Sequence, residues 1–237
     1  MNPTVVLLHS PLVGPHTWRA VRAHLDAAGR RAILPDLRPP ARPRPTPGRV
    51  AAAAAAAMES STPPGPVTLA CHSMAGMLLP GIAQATRRRV TGAVLVDSAM
   101  PRPGVTWFQT VPPELAGQLR DLAEDGRLPP WHHWFPPETL TSMLPDLSIR
   151  KRFEQEIPRL PLSFFDEPFP GKSGWAASIP VGYLLLSEVY RTTASQASAL
   201  RWPVSRLDLH HLAPVSHPET VTDAILAVLG ELHAGSR

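Results

Sequence analysis

One serine, a cluster of three histidines and a few carboxylates are the residues of this chain whose types and spacing point to chemistry. The serine is Ser73, within Val67-Thr68-Leu69-Ala70-Cys71-His72-Ser73-Met74-Ala75-Gly76. An apolar, β-rich run leads straight into a small residue, any residue, Ser, any residue and two small residues. A serine on so sharp a strand-to-helix turn has its hydroxyl exposed, and the turn closes only if the positions two before and two after are small. The usual motif has glycine at both; here they are Cys71 and Ala75, with Gly76 one further on. A strand-serine-helix joint also describes an ordinary N-cap serine. The strained turn is preferred because a base follows in the right chain order. His210, His211 and His217 lie between the last apolar run and the last helical stretch, with Pro218 at the helix start. An imidazole of near-neutral pKa can take a serine proton and hand it to a leaving group.

The elements that must position these residues are legible in the pattern. Apolar runs at 5–9, 31–35, 67–71, 93–96 and 181–186 read as strands buried on both faces, and 204–209 as a weaker, more alternating one. Helical stretches at 18–28, 49–58, 75–88 and 220–233 lie between or after them; seven consecutive alanines favour the second. Strand then helix, repeated, predicts an α/β fold: an open, mostly parallel twisted sheet with helices on both faces. Residues 101–178 break the rhythm, with many prolines and with Trp107, Trp131, Trp134, Phe164, Phe165 and Trp175. They are expected to form a helical cap, with helices at 113–122, 137–144 and 149–156, inserted into a core of 1–100 and 179–237 that remains one domain overall. Its aromatics serve either as an apolar lid over a pocket or as the cap's own small core.

Composition narrows the function classes. The chain has 237 residues, 43% of them hydrophobic, enough for one sizeable core. No apolar run approaches the roughly 20 residues of a membrane span. The start of the sequence lacks a signal-peptide pattern, so the expected location is cytoplasmic, with no membrane partner. A single cysteine, Cys71, excludes an internal disulfide framework and a cysteine-rich zinc site; it reads as a small packing residue. The net charge of +4 comes from scattered arginines. The densest cluster, Arg87-Arg88-Arg89, has no interleaved aromatics and reads as a solvated helix end, so no nucleic-acid partner is expected. Thirty prolines, clustered at 39–47, 63–66, 101–113, 129–137 and 158–170, mark loops. No phosphate loop or dinucleotide fingerprint is present, so no cofactor is expected. His132 and His133 are adjacent and do not point the same way on a helix, so no metal site is expected there.

With these residues in place, the sequence resembles the α/β-hydrolase superfamily over nearly its whole length, and most of all its small esterase and hydroxynitrile-lyase-like branch. The resemblance is weakest in the cap. It selects His211 as the base, seven residues before Pro218, leaving His210 and His217 as neighbours. It also implies a carboxylate that orients the histidine. The family commonly places that acid just past the strand at 181–186, but the position aligned with it here is Tyr190, with Glu188 nearby. Some relatives draw the acid from the end of the preceding strand, here Asp97 in Val96-Asp97-Ser98; Asp97 is preferred over Glu188. Asp97 also reads as a residue that merely ends a strand and bonds loop amides. The implied oxyanion donors are the N–H of Met74 and one from the loop His9-Ser10-Pro11-Leu12. The family's second donor falls on Pro11, which has no N–H, so Leu12 is the expected substitute. Asp36 is expected to structure a loop. The activity implied is that of a serine hydrolase on a small or medium, largely apolar ester, thioester, lactone or amide. The alternatives are a lyase, cyclase or isomerase using His211 as base, and a non-catalytic ligand-binding protein.

Overall fold

The computed structural model describes residues 2–39, 44–61 and 65–234. Parts of the proline-rich loops expected at 39–47 and 63–66 lie outside the described residues. Six strands form one sheet: β1 (Thr4–Leu8), β2 (Ala32–Ile33), β3 (Val67–His72), β4 (Val90–Val96), β5 (Val181–Leu185) and β6 (Val204–Arg206). Their order is β2-β1-β3-β4-β5-β6, and every neighbouring pair is parallel. The sheet is thus wholly parallel rather than mostly so. All strands run the same way, so their C-terminal ends share one edge, where an open α/β sheet places its ligands.

Side chains alternate between faces along a strand. Val5 and Leu7 of β1 pack on one face, with Trp18, Val21 and Leu25 of α1 (His16–Ala27) and with Val221, Ile225 and Val228 of the C-terminal helix at Pro218–Ala234. Val6 and Leu8 face the other way, into a cluster with α2 (Pro47–Ser61) and α3 (Ala75–Ala85). Both faces are therefore buried, which is why the strands read as continuous apolar runs. In α2 the residues turned to this core are Val50, Ala51, Ala54 and Met58, a helical stripe whose small side chains permit close packing.

The 101–178 insertion is built of short pieces: α4 (Pro113–Asp121), α5 (Pro137–Met143), α6 (Leu147–Glu154) and α7 (Leu162–Phe165), with single 3₁₀ turns at Trp107–Gln109, Trp131–Trp134 and Trp175–Ala177. Phe165 is its hub, with ring centroids 5.3 Å from Trp107, 5.6 Å from Phe108, 5.5 Å from Phe164 and 5.8 Å from Trp134. This aromatic knot is continuous with the α2/α3 side of the main core. Most of the insertion's aromatics thus bury one another, while Trp131 packs beside His211.

Two expectations fail locally. The helix expected to run to Arg88 stops at Ala85, because Thr86 is extended (φ −78°, ψ 145°) and its hydroxyl donates to Glu59 Oε1 at 2.8 Å. Arg88 is consequently no solvated helix end: its side chain is only 8% exposed, 3.7 Å from Glu59 Oε2 and bonded to the Met58 carbonyl at 3.4 Å. A helix that the sequence did not suggest, α8 (Arg191–Ala199), follows β5 and buries only Ala194 and Ala197. The helices after it are α9 (Ala213–Ser216) and α10 (Pro218–Ala234). Among the described residues, no helix is long and apolar enough to cross a membrane.

Candidate active site

Ser73 stands between β3 and α3 with φ of 58°, a left-handed backbone that a non-glycine residue adopts only at a cost. Its N–H donates to the Val96 carbonyl (3.1 Å), and its own carbonyl accepts from Ser98 Oγ (2.6 Å). These bonds tie the turn to the end of β4 and hold the strained conformation. Gly76 explains the displaced glycine of the motif: a Cβ there would lie 1.9 Å from Ser98 Oγ, so the close approach needed by the turn occurs at this position. Cys71 is fully buried in the core, and burial pushes its thiol far above the usual range, as befits a packing residue.

Asp97, at the tip of β4, is fully buried and also left-handed, with φ of 43°. Its Oδ1 accepts from the Leu186 N–H (2.8 Å) and the Ser187 N–H (2.9 Å), while Oδ2 accepts from Ser187 Oγ (2.6 Å) and lies 2.8 Å from His211 Nδ1. Burial alone would raise this carboxyl, but the bond to His211, its charge and the Ser187 and Leu186 donors bring it below the usual carboxylate range. Beneath it, Tyr183 clamps the loop: its hydroxyl donates to the Ser98 carbonyl (2.6 Å) and accepts from the Ser98 N–H (3.1 Å). Glu188, the other candidate acid, is exposed and ion-paired with Arg191.

The carboxylate accepts from His211 Nδ1–H, which leaves the Nε2 lone pair to accept a proton. Two rings pack against that of His211. His72 lies on one face, with centroids 4.5 Å apart, and its Nε2–H donates to the His211 carbonyl at 2.8 Å. Burial, with the neighbouring His211, drives His72 down to about 3, so it stays neutral. Tyr190 stacks on His211 at 5.4 Å and 23°. Burial raises its phenol to about 12. His210 and His217 turn away: both ring nitrogens meet Ser216 Oγ, at 3.1 Å and 2.8 Å.

The loop after β1 completes the site. His9 Nδ1–H donates to the Ser10 carbonyl (2.8 Å) and its Nε2 accepts from the Leu37 N–H (2.9 Å), pinning this loop to the one after β2. Asp36 sits in that second loop and holds Arg38. Glu156 of the insertion seals the other end, accepting from the His16 N–H (2.6 Å) at the start of α1 and pairing with Arg19. Met74 has no hydrogen-bond partner for its N–H among the described residues. Leu12 reaches the site, but its N–H is committed to Ser10 Oγ (3.2 Å), and the Val13 N–H is bonded to the Ser10 carbonyl (3.1 Å). The expected substitution of Leu12 for Pro11 as a free donor therefore does not hold, because the Ser10 hydroxyl folds back onto that amide.

Ser73, His211, Leu12, Val13, Leu212 and Trp131 line a narrow crevice with a cavity volume of about 10 Å³. That is below the roughly 300–1,000 Å³ of pockets for drug-sized ligands. Trp131 forms its outer wall, its ring centroid 6.3 Å from that of His211. His132 and His133 instead face a separate surface hollow with Phe135, Leu140 and Glu154. Sequence reasoning did not anticipate the parts played by His72, Ser98, Tyr183 and Ser187. Only the polar residues themselves, embedded in apolar strand ends, could have signalled them.

A sequence model described as the alpha/beta hydrolase family matches residues 5–224. No curated protein matches the sequence. Among solved structures, the chain is similar to an extracellular alpha/beta-hydrolase from a Paenibacillus species (TM-score 0.77, 18% identity, 96% of this chain and 99% of that one). It is similar to a pyrethroid hydrolase from Sphingobium faniae JZ-2 (TM-score 0.70, 23% identity, 95% and 96% covered). It also resembles the Arabidopsis methylesterase protein MES16 (TM-score 0.68, 16% identity, 97% and 99% covered). At such identities the structural likenesses speak for the fold, and the family match spans most of the sequence: the chain belongs to the alpha/beta hydrolase family.

Proposed function

We propose that this enzyme is a serine hydrolase cleaving a small, largely apolar ester, with thioesters, lactones and amides as the neighbouring substrate classes. The observation that carries the reading is the 2.8 Å contact between His211 Nδ1 and a buried Asp97, beside a serine held in a left-handed turn. His211 Nε2 takes the Ser73 proton as Oγ attacks the carbonyl carbon. Asp97 keeps the proton on Nδ1 and stabilises the imidazolium; stacking on Tyr190 favours the same charged ring. The Met74 N–H receives the developing oxyanion. His211 then protonates the leaving alcohol, and water attacks the acyl-enzyme by the reverse route. The insertion acts as a cap, with Trp131 limiting acyl size and water access over this narrow crevice. The pyrethroid hydrolase and the methylesterase among the similar structures support an ester as the bond cleaved.

A second reading, a lyase or isomerase using His211 as base without an acyl-enzyme, is favoured by one observation: Pro11 has no N–H and that of Leu12 is already bonded. Intact-protein mass spectrometry after exposure to an alkyl fluorophosphonate decides between them. A single adduct on wild type, absent from Ser73→Ala, is the expected result. A folded wild type that takes no adduct would sink the hydrolase reading.

A further inference from the structure

Of the three residues that the proposed reaction relies on, two stand on the β3/β4 pair and one does not. Asp97 follows Val96, the last residue of β4, and the Ser73 N–H donates to the Val96 carbonyl at 3.1 Å. His211 comes instead from the loop after β6, a partly exposed edge strand. Its contact with Asp97 anchors one ring nitrogen, which by itself fixes neither the plane of the ring nor the loop behind it. His72 supplies a second anchor. It ends β3 in register with Val96, precedes Ser73 in the chain, and its Nε2–H donates to the His211 carbonyl at 2.8 Å. We infer that His72 is a positioning residue, which ties the main chain of the base to the strand end that carries the nucleophile and so sets the Ser73–His211 geometry.

A carbonyl only accepts, so this contact puts the His72 proton on Nε2. Nδ1 then carries a lone pair, buried and without a hydrogen-bond partner among the described residues. The ring itself is buried, with Trp18 packed beside it at 5.8 Å between centroids and 80° between planes. A second proton on Nδ1 would find nothing to bond, and burial accordingly holds the ring neutral, down at about 3. The tie therefore keeps one tautomer and one charge while His211 cycles between imidazole and imidazolium. A buried nitrogen left unpaired is unfavourable, and an apolar side chain at this position would avoid that cost. What the histidine supplies in return is the donor to His211. The two rings also lie 4.5 Å apart and 31° from parallel, so the His72 face limits how far the base can swing toward it.

The inference rests on the hydrolase reading, and the test tells the two failures apart. His72→Gln and His72→Met carry side chains of equal length, and only glutamine places an N–H where Nε2 stood. Thermal melting establishes folding, and nitrophenolate release from p-nitrophenyl butyrate is followed by stopped flow. His72→Met is expected to lose about 10²-fold in kcat with KM nearly unchanged, the size of effect that a misplacement of about 1 Å brings, and His72→Gln to recover most of that loss. The downfield proton NMR signal of the His211 Nδ1–H facing Asp97 is expected in wild type and His72→Gln and broadened away in His72→Met. His72→Phe, which keeps a ring without the donor, takes the place of His72→Met if the latter does not fold. A folded donor-free variant within twofold of wild type overturns the assignment, and so does a folded His72→Gln no faster than His72→Met. If wild type releases no nitrophenolate and takes no fluorophosphonate adduct, the hydrolase reading fails, and the NMR comparison still decides whether His72 holds the His211 ring.

Discussion

Replacing Asp97 by Asn tests the site at its least obvious member. The carboxylate accepts four hydrogen bonds, two on each oxygen. Asparagine can keep the Leu186 and Ser187 amides on its carbonyl oxygen, but its NH₂ then faces Ser187 Oγ and His211 Nδ1. The serine hydroxyl can rotate and accept. The imidazole can accept only by moving its proton to Nε2, and in that tautomer nothing remains to receive the Ser73 proton. The expected loss in kcat is about 10⁴-fold, the size seen when a triad acid becomes an amide and the wrong tautomer is locked in. Losing the charge on hydrogen bonds of this kind costs about 1.5–3 kcal/mol each, so the melting temperature falls as well. Asparagine tolerates the φ of 43° better than most residues, which makes it the cleaner substitution. The control is Glu188→Gln, which removes an exposed ion pair with Arg191 of little energetic weight and is expected to stay within twofold of wild type. Linkage adds a second readout. Because Asp97 is held below the usual carboxylate range in the folded state, its stabilisation is present above that range and lost as pH falls through it to the folded value. Asp97→Asn therefore flattens the acid limb of a stability-versus-pH curve. Steady-state kinetics on p-nitrophenyl butyrate and melts from neutral to acid pH provide the data. Asp97→Asn activity within tenfold of wild type, or a damaging Glu188→Gln, refutes the assignment.

Gly76→Ala would place a Cβ 1.9 Å from Ser98 Oγ and break the 2.6 Å bond that Ser98 makes to the Ser73 carbonyl. A destabilisation of about 1–3 kcal/mol is expected in urea melts, with a fall in fluorophosphonate labelling rate; unchanged labelling would mean the turn does not depend on this contact. Arg201 ends α8 with φ of 60°, and the Trp202 N–H bonds back to the Ala197 carbonyl at 3.1 Å, the closure of a Schellman motif. Arg201→Gly removes the left-handed penalty and is expected to raise stability by about 1 kcal/mol without altering turnover; a destabilised variant would mean that the side chain itself holds the turn.

The sheet was legible because both its faces are covered, so the inner strands show as apolar runs bounded by prolines and glycines. Where burial thins, so did the signal. β2 pairs only through Ala32 and Ile33, and β6 is partly exposed throughout. The helix α8, written Arg-Thr-Thr-Ala-Ser-Gln-Ala-Ser-Ala, offers two buried alanines and no apolar stripe, so periodicity cannot find it. Arg88 read as a surface residue from its charged neighbours, yet tertiary contacts with Glu59 draw it inward.

The chemistry was legible to the extent that it is local. Ser73 is announced by its own turn, whereas the role proposed for Asp97 depends on which strands lie side by side. Only the pairing of β4 with β5 brings the tip of β4 against the amides of Leu186 and Ser187. That cradle has a consequence for the whole site. On the reading proposed here, with the carboxylate supplied from β4, the turn after β5 no longer has to carry an acid: Ser187 donates to Asp97, Glu188 faces solvent, and Tyr190 lies flat against His211.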